Sequence, residues 1–552
     1  MSTFKGFTQV QLSKPQQSTF DVTHDKRLTT SMGNLTPVFI QECIPTDRYR
    51  NSSQLLIRCA PLLAPLYDQL SAFVHFYFIA NRLLWDGGPG DSWEDFITGG
   101  RLGVGVDPVT APIPPYLDLG EALDSTATMG KGTLADYLGV PDLLNIAIFP
   151  EDYIPSAFDG INIDVLPFAA YYKVWYDFYR DRNYIADNEL LPLPGGQVVD
   201  DGDMENLLTL RIRDYQKDYF TSALPFTQRG EEVLMPLEGT GSVTYLATSL
   251  VRETDGSVPA DAPLESASAG ELGIDGVGLG RIENIDEVLL SSSNVSINDF
   301  RTAYALQVWL ERNAVAGSRY TESIEAHFGL KSQDSRLQRA EYLGGGRFPI
   351  KFSEVVNTAW STVDAVDYPA GNLSGHGVGF GNTNEFRYFC PEHGFIIGIL
   401  SIMAPATYQQ GMPRMFYARR SFLSYPWPTF AKLGEQQVDD CEIYVTPTSL
   451  TEDSNGELPN FGYQSRYADW KYVPNTLHGD FKDTLLFWTF ARVFDVGGPT
   501  LGSLFVNFDP TVAERVFAVP SNPAQFWIYL HNNCEVKRAL PYFGMPNTLG
   551  FS

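Results

Sequence analysis

Five stretches of this 552-residue chain carry residue types that could do chemistry. Gly130-Lys131-Gly132-Thr133 has the look of a phosphate loop. However, Ser125 stands at the first glycine of G-x-x-x-x-G-K-[ST], and Gly132 replaces the hydroxyl that would meet Mg²⁺, so the run reads as a turn before a helix. The glycines from Gly371 to Gly381 do not form G-x-G-x-x-G, and they read as flexible surface loop, as does Gly344-Gly345-Gly346. Cys390-x-x-His393, with His376 as a possible third ligand, is half of a zinc site at most, and ordinary turn residues are the simpler reading. Asp200, Asp201, Asp203 and Glu205 could face a hard cation but lack the EF-hand spacing, which leaves a solvated loop. Lys537, Arg538, Tyr542 and Phe543 combine cations with rings, the types that hold single-stranded nucleic acid by phosphate pairing and base stacking, although such neighbours also occur on ordinary surfaces.

Neither G-x-S-x-G nor H-E-x-x-H occurs, so the commonest local signatures of hydrolases and zinc proteases are missing. No catalytic residue, cofactor site or metal site is assigned. The expectation is a protein without a catalytic step.

The elements that would position these residues are mostly strands. From Asp21 to about Trp85, short β-branched and aromatic runs are punctuated by Pro37, Pro45, Pro61 and Pro65, the rhythm of strands joined by turns. The apolar run from Ser71 to Trp85 is too short to span a bilayer and reads as a buried strand. Continuous apolar character predicts further strands at 394–405 and 483–494, covered on both faces. Gly and Pro in quick succession make 86–120 an extended connection, and KGTLADYLGV predicts a short helix stopped by Gly139. In 166–183, Phe168, Tyr171, Tyr172, Trp175, Phe178 and Tyr179 recur at helical spacing and predict one aromatic face packed on a core. A second helix begins near Asn298, with Phe300, Ala303, Tyr304, Gln307 and Leu310 on one face. It is followed by Tyr320, Ile324 and Phe328, with Gly329 as a stop.

The formal charge is −27, from 39 basic and 66 acidic residues, which argues against non-specific attraction to phosphate or anionic lipid. Any nucleic-acid partner must meet a local basic patch or a separate basic helper. The opening MSTFKGFTQVQLSKPQQSTF has the pattern of neither a secretory signal nor a polybasic arm, so the expected compartment is the cytoplasm. Five scattered cysteines, never spaced C-x-x-C, predict free buried thiols. Between Glu231 and Val295, twelve carboxylates stand against Arg252 and Arg281, and Tyr245 is the lone aromatic. A stretch so acidic and so poor in rings is expected to be a solvent-facing insertion supported by neighbours. The organisation expected is therefore 1–230 as the first part of the framework, 231–295 as an acidic surface insertion, and 296–552 as the remainder with the C-terminal segment.

Several blocks in chain order resemble the major capsid protein of microviruses of the gokushovirus type. The most specific is GSRYTESIEAHFGLKSQDSRLQRAEYLGGG at 317–346. Others are FVHFYFIANRLLWD with WEDFITGG, LPFAAYYKVWYDFYRDRN, DYFTSALPFTQRG, EHGFIIGILSIMAPATYQQGMPRM, FAKLGEQQV, FGYQSRYADWKYVPN and KRALPYFGMPNTLG. The resemblance covers most of the chain from Phe20 onward. It implies a mainly β protein, an eight-stranded antiparallel jelly-roll barrel with large loop insertions and a few helices, assembled in about 60 copies into a T=1 icosahedral capsid. It also implies a bacteriophage virion enclosing a single-stranded DNA genome, host cytoplasm as the place of assembly, and a small basic DNA-associated internal protein as partner. The acidic insertion falls where such proteins carry a protrusion at the threefold axes. A host surface receptor is the expected outer partner, with no residues assigned to it. The rival reading is a β-rich carbohydrate-binding or carbohydrate-active protein, which would also be acidic, ring-rich and loop-heavy.

Overall fold

The computed structural model describes residues 17–98, 112–124, 129–142, 160–186, 189–198, 201–230, 233, 250–252, 264–268, 271–274, 278–279, 281–283, 297–316, 320–329, 331, 333–358, 361–363, 366–368, 370–371, 373–454, 456–518 and 524–542. Its framework is built from β1 (Ser18–Asp21), β2 (His24–Thr30), β3 (Thr36–Cys43), β4 (Arg48–Cys59), β5 (Leu70–Ala80), β6 (Glu341–Val356), β7 (Leu373–Asn382), β8 (Phe386–Phe389), β9 (Gly394–Met403) and β10 (Phe526–Arg538). The main path across the sheet runs β1-β10-β4-β7-β6-β5-β9-β3, with every pairing antiparallel. β2 also pairs with β10, just beyond β1, and β8 also pairs with β4, just beyond β7. Each of these couples is one strand interrupted, so ten segments fill the eight strand positions of a jelly-roll-type sheet.

The alternation of β4 explains how it sits. Tyr49, Leu55, Ile57 and Cys59 are buried, whereas Arg48, Arg50, Gln54 and Arg58 face solvent. β5 and β9 are apolar on both sides because both sides are covered. Val74, Phe76, Phe78, Ile396, Leu400 and Ile402 enter the main core. Their alternates Tyr77, Ile79, Phe395, Ile397 and Ile399 pack with helix α1 (Leu166–Val174) in a second core. α1 continues into a π turn, Trp175–Tyr179. The single aromatic face expected of it is instead a helix buried all round, with Lys173 held inside by Asp177 at 3.6 Å and Glu189 at 3.5 Å.

The sheet curls until β2 and β3 meet through side chains. Thr30 and Thr36 share a hydroxyl hydrogen bond of 2.6 Å, Lys26 donates to the Pro37 carbonyl at 3.2 Å, and the His24 and Phe39 rings stack at 5.7 Å. The helix Leu134–Leu138 lies over this seam, where the Tyr137 hydroxyl donates to the Thr29 carbonyl at 2.6 Å and its own carbonyl accepts from Lys26. Covering the two edges this way removes a template for uncontrolled strand pairing. Burial in the seam pushes the Lys26 ammonium down to about 8.

Several sequence expectations need correction. The glycines from Gly371 to Gly381 lie mainly in strand β7, and Gly344–Gly346 lie in β6, not in flexible loops. The apolar stretch 483–494 forms no strand. It turns through the 3₁₀ segment Leu486–Trp488, and its backbone bonds go to scattered groups, with Phe490 N–H donating to the Asp68 carboxylate and Arg492 N–H to the Thr407 carbonyl. The carboxylates Asp201, Asp203 and Glu205 belong to a helix, Asp201–Leu208, not a loop. The connection 86–120 includes a helix, Trp93–Thr98, and a strand, Tyr116–Asp118, and the strand expected over 71–85 ends at Ala80.

The remaining expected elements are present. The helix after Lys131 ends at Gly139, whose φ of 114° is left-handed. α2 (Ile297–Ala316) and α3 (Tyr320–Phe328) follow, the latter stopped by Gly329 with φ 65°. All five cysteines are free and buried. The chain divides into two compact units, Gln228–Val315 and the rest. The described part of the smaller unit holds a three-stranded sheet (264–268, 271–274, 278–279), a strand pair (250–252 with 281–283) and α2 to Val315. Most of the acidic stretch 231–295 lies outside the described residues.

His75 on β5 is placed for a pH effect. Its Nδ1 lies 2.8 Å from the Tyr179 hydroxyl, and burial, helped by the nearby Arg213 cation, pushes the imidazole down to about 4 from an ordinary 6.5. A base depressed in the folded state contributes stability that is present above the unfolded pKa and is lost as pH falls through the folded one. Acidification from pH 7 to 4 is therefore expected to remove about 3 kcal/mol through this residue. His75→Gln should flatten the urea-midpoint profile in that window, and an unchanged slope in the variant would refute the assignment.

Candidate nucleic-acid interface and assembly surface

The terminal cluster does not act as one group. Lys537 is exposed near the end of β10, opposite Arg48 of β4 and Thr19 of β1. Arg538 is engaged inside the fold: Nε donates to Asp47 Oδ2 at 2.9 Å, and Nη2 donates to the Tyr49 hydroxyl and the Glu42 carbonyl, each at 2.6 Å. The Asp47 side chain is fully buried, and desolvation raises its carboxyl while Arg538 draws it back down. The Arg538 guanidinium is thus the counter-ion of a core carboxylate. Tyr542 is exposed, with its ring stacked at 5.9 Å on Phe20, and Phe543 lies outside the described residues.

The other chemical candidates are also separated or occupied. Cys390 is a free buried thiol, raised by the neighbouring Cys43 thiol and by burial, and His393 packs its ring on Trp93 at 5.6 Å. His376 is exposed on β7 opposite Ser353. Among the described residues, no group of three or more His, Cys, Asp or Glu is placed to hold a metal ion. In the turn before Leu134, the Gly132 N–H donates to the Asp136 carboxylate at 2.8 Å, so a side chain of the helix itself satisfies the amide that a phosphate would need.

Sequence reading missed a different surface. Between Arg414 and Leu433 the chain makes three 3₁₀ turns, 414–416, 422–424 and 428–430, which leave Met415, Phe416, Phe422, Tyr425 and Trp427 at least half exposed. Trp470, Tyr472 and Val473 add to the exposed apolar residues. These rings have no regular period, so neither a helical nor a strand template detects them; the density of apolar residues without a period was the available signal.

The loop is tethered by buried charge. Arg414 Nη1 meets Glu442 Oε1 at 3.1 Å and Nη2 meets Asp439 Oδ2 at 3.6 Å, while the hydroxyls of Tyr219 and Tyr417 donate to Glu442 at 2.9 Å and to Asp439 at 2.7 Å. Burial pushes the Glu442 carboxyl up to about 7. Arg419 pairs with Asp469 and lies over the Trp470 ring at 4.8 Å. An exposed apolar surface set on fixed loops is the mark of a protein that works in contact with others.

A curled jelly-roll-type sheet with long ordered loops and open apolar surface defines a β protein built to work in contact with partners. The family described as Capsid protein (F protein) matches residues 8–548, and the chain belongs to it. The chain is 31% identical to Capsid protein VP1 of Chlamydia phage 1, over 98% of this chain and 97% of the relative. It is 30% identical to Capsid protein VP1 of Bdellovibrio phage phiMH2K, over 99% and 98%, and 25% identical to Capsid protein VP1 of Spiroplasma virus 4, over 96% and 95%. The chain is thus a structural capsid subunit of a microvirus-type phage; it assembles into a multi-subunit shell and resides in the virion. The carbohydrate-binding alternative is not favoured by this membership.

Proposed function

We propose that about 60 copies of this subunit close a T=1 icosahedral shell around a single-stranded DNA genome, without a catalytic step and with assembly in the host cytoplasm. The observation that carries the shell reading is the exposed surface of 414–433 and 470–473, where Phe416 is 71% and Val473 is 88% exposed. Clustered exposed rings of this kind are uncommon on monomers, and a neighbouring subunit is the partner that would cover them. The acidic segment 231–295 is read as the threefold surface protrusion, available to a host surface receptor.

The genome needs help beyond this chain. With 66 acidic residues against 39 basic ones, the subunit supplies local patches and no bulk neutralisation, so a small basic internal protein accompanies the DNA. The test of the shell reading is negative-stain microscopy of particles formed on expression. Closed shells are expected from the natural chain, and none from a Phe416→Asp/Trp427→Asp variant that keeps its circular dichroism spectrum. A stable soluble monomer of the natural chain would overturn the reading.

A further inference from the structure

The outward face of the sheet carries an arrangement that the shell role does not require. Register places Thr29, Trp527, Arg58, Val378 and Lys351 in one row across β2, β10, β4, β7 and β6. One step along, Arg27, Tyr529, Leu56 and Phe380 form the next row. Toward the far end of β4, Glu535, Arg50 and Arg387 align, and then Lys537, Arg48 and Phe389. The residues inward of these rows are core, so the rows share one solvent side of the sheet. Arg48 and Arg58 are ten positions apart on one strand, which gives the face a length of roughly 33 Å.

Seven cations (Arg27, Arg48, Arg50, Arg58, Lys351, Arg387 and Lys537) stand here against four carboxylates, Asp21, Asp25, Glu385 and Glu535, on a chain whose formal charge is −27. Arg50 and Arg387 share Glu385, and His531 holds Asp25 at 2.7 Å. The other five cations make no ion pair among the described residues. Arg27 lies over Tyr529 at 5.5 Å and Arg48 over Phe389 at 5.7 Å, so each guanidinium is held beside a ring by cation–π attraction. Between them Phe380 is 68% exposed, Phe389 50% and Trp527 44%. Cations spaced among open rings are the recognition chemistry of a single polynucleotide strand: phosphates pair with the charges and bases stack on the rings, with little sequence preference. A protein partner covering an apolar face would not call for this local excess of positive charge.

We propose that this sheet face, centred on Arg58, Lys351, Trp527 and Phe380, is the surface on which the subunit holds single-stranded DNA. The proposal rests on the genome-enclosing reading above and locates its contact, with Lys537 at the margin of the face.

The test titrates a fluorescent oligo(dT) of about 30 nucleotides with the purified full chain by anisotropy at several salt concentrations. Arg58→Ala/Lys351→Ala should weaken binding about tenfold and lower the slope of log affinity against log salt by about 1.4, for two lost phosphate contacts on a single strand. Trp527→Ala should weaken binding about tenfold with the slope unchanged, because stacking releases no counter-ions. Lys331→Ala, an exposed cation outside both these rows and the 414–433 loop, is the control and should match the natural chain. All variants alter exposed side chains, and matching thermal melts will show that they fold. An unchanged curve for the double variant, an equal loss in the control, or no binding by the natural chain would overturn the proposal. So would variants that lose particles but keep their oligo(dT) binding, which would assign the face to subunit contact. Particle formation is scored in parallel: shells without oligo(dT) binding defeat this proposal alone, whereas binding without shells defeats the shell reading.

Discussion

Gly377→Val is expected to destabilise the subunit by about 3 kcal/mol or more and to abolish shells, as read by urea unfolding and microscopy. Along β7, Gly375, Gly377 and Gly379 are buried and Gly381 half-buried, all facing inward, while Ser374, His376, Val378 and Phe380 face out. The absence of side chains lets β6 lay its own large residues over the strip. A Cβ on Gly377 would stand 2.5 Å from Cys59 Sγ and 2.7 Å from the Phe352 ring, and one on Gly381 would stand 2.0 Å from the Phe348 ring. These rings are hemmed in by neighbouring strands, so the clash is relieved only by moving the sheet. Two comparisons make the test specific. Val378→Ala, one position along on the open face, should change stability by no more than about 0.5 kcal/mol. Phe352→Leu should restore part of what Gly377→Val loses. Equal effects at 377 and 378 would mean that the strip has no packing role.

The glycine strip also shows where sequence reading stops. Glycine weakens strands in isolation, so a glycine-rich run without a nucleotide motif is naturally read as loop. What makes β7 a strand is the bulk of Phe348, Ile350 and Phe352, which stand about twenty to thirty residues earlier in the chain and meet it only through register. The same blindness affected 483–494, whose unbroken apolar sequence reports burial but not which groups take its backbone hydrogen bonds. β5, β9, α1 and α2 were legible because their patterns are local and strong. The jelly-roll class was legible through the quoted blocks, above all 317–346, and not through composition.

Site residues were less legible than elements, for an electrostatic reason. Lys537 and Arg538 are neighbours in sequence but occupy opposite sides of the chain's path. Lys537 faces water, and Arg538 is fixed by Asp47, a residue almost five hundred positions away. A run of like side chains does not reveal which of them the core has already used. The outward cations of the sheet were harder still, because Arg27, Arg58 and Lys351 become neighbours only when β2, β10, β4, β7 and β6 are in register.

Arg414→Met is expected to cost about 3 to 5 kcal/mol at neutral pH, because it leaves Asp439 and Glu442 buried without their shared cation. The side chains of Asp439 and Glu442 are 9% and 5% exposed, so water cannot replace the guanidinium. The carboxylates would keep their hydroxyl donors from Tyr417 and Tyr219, which soften the loss without neutralising the charge. The pH dependence has a definite sign. Burial already holds Glu442 up at about 7, and removing the cation pushes it higher. A carboxyl raised in the folded state favours folding below its unfolded pKa, and that contribution is lost as pH rises through the folded one. The deficit of Arg414→Met should therefore be largest above pH 7 and shrink toward pH 5, where Glu442 accepts a proton. Arg414→Met/Glu442→Gln should recover part of the stability at neutral pH by removing one of the stranded charges. Assembly gives a second readout, because Arg414 opens the loop that carries Phe416, Phe422 and Trp427. If that loop is the subunit contact, the single variant should fold at pH 5 yet form few shells, with its rings no longer held in place. A deficit below about 1 kcal/mol that does not vary with pH would show that the buried cluster does not hold this loop.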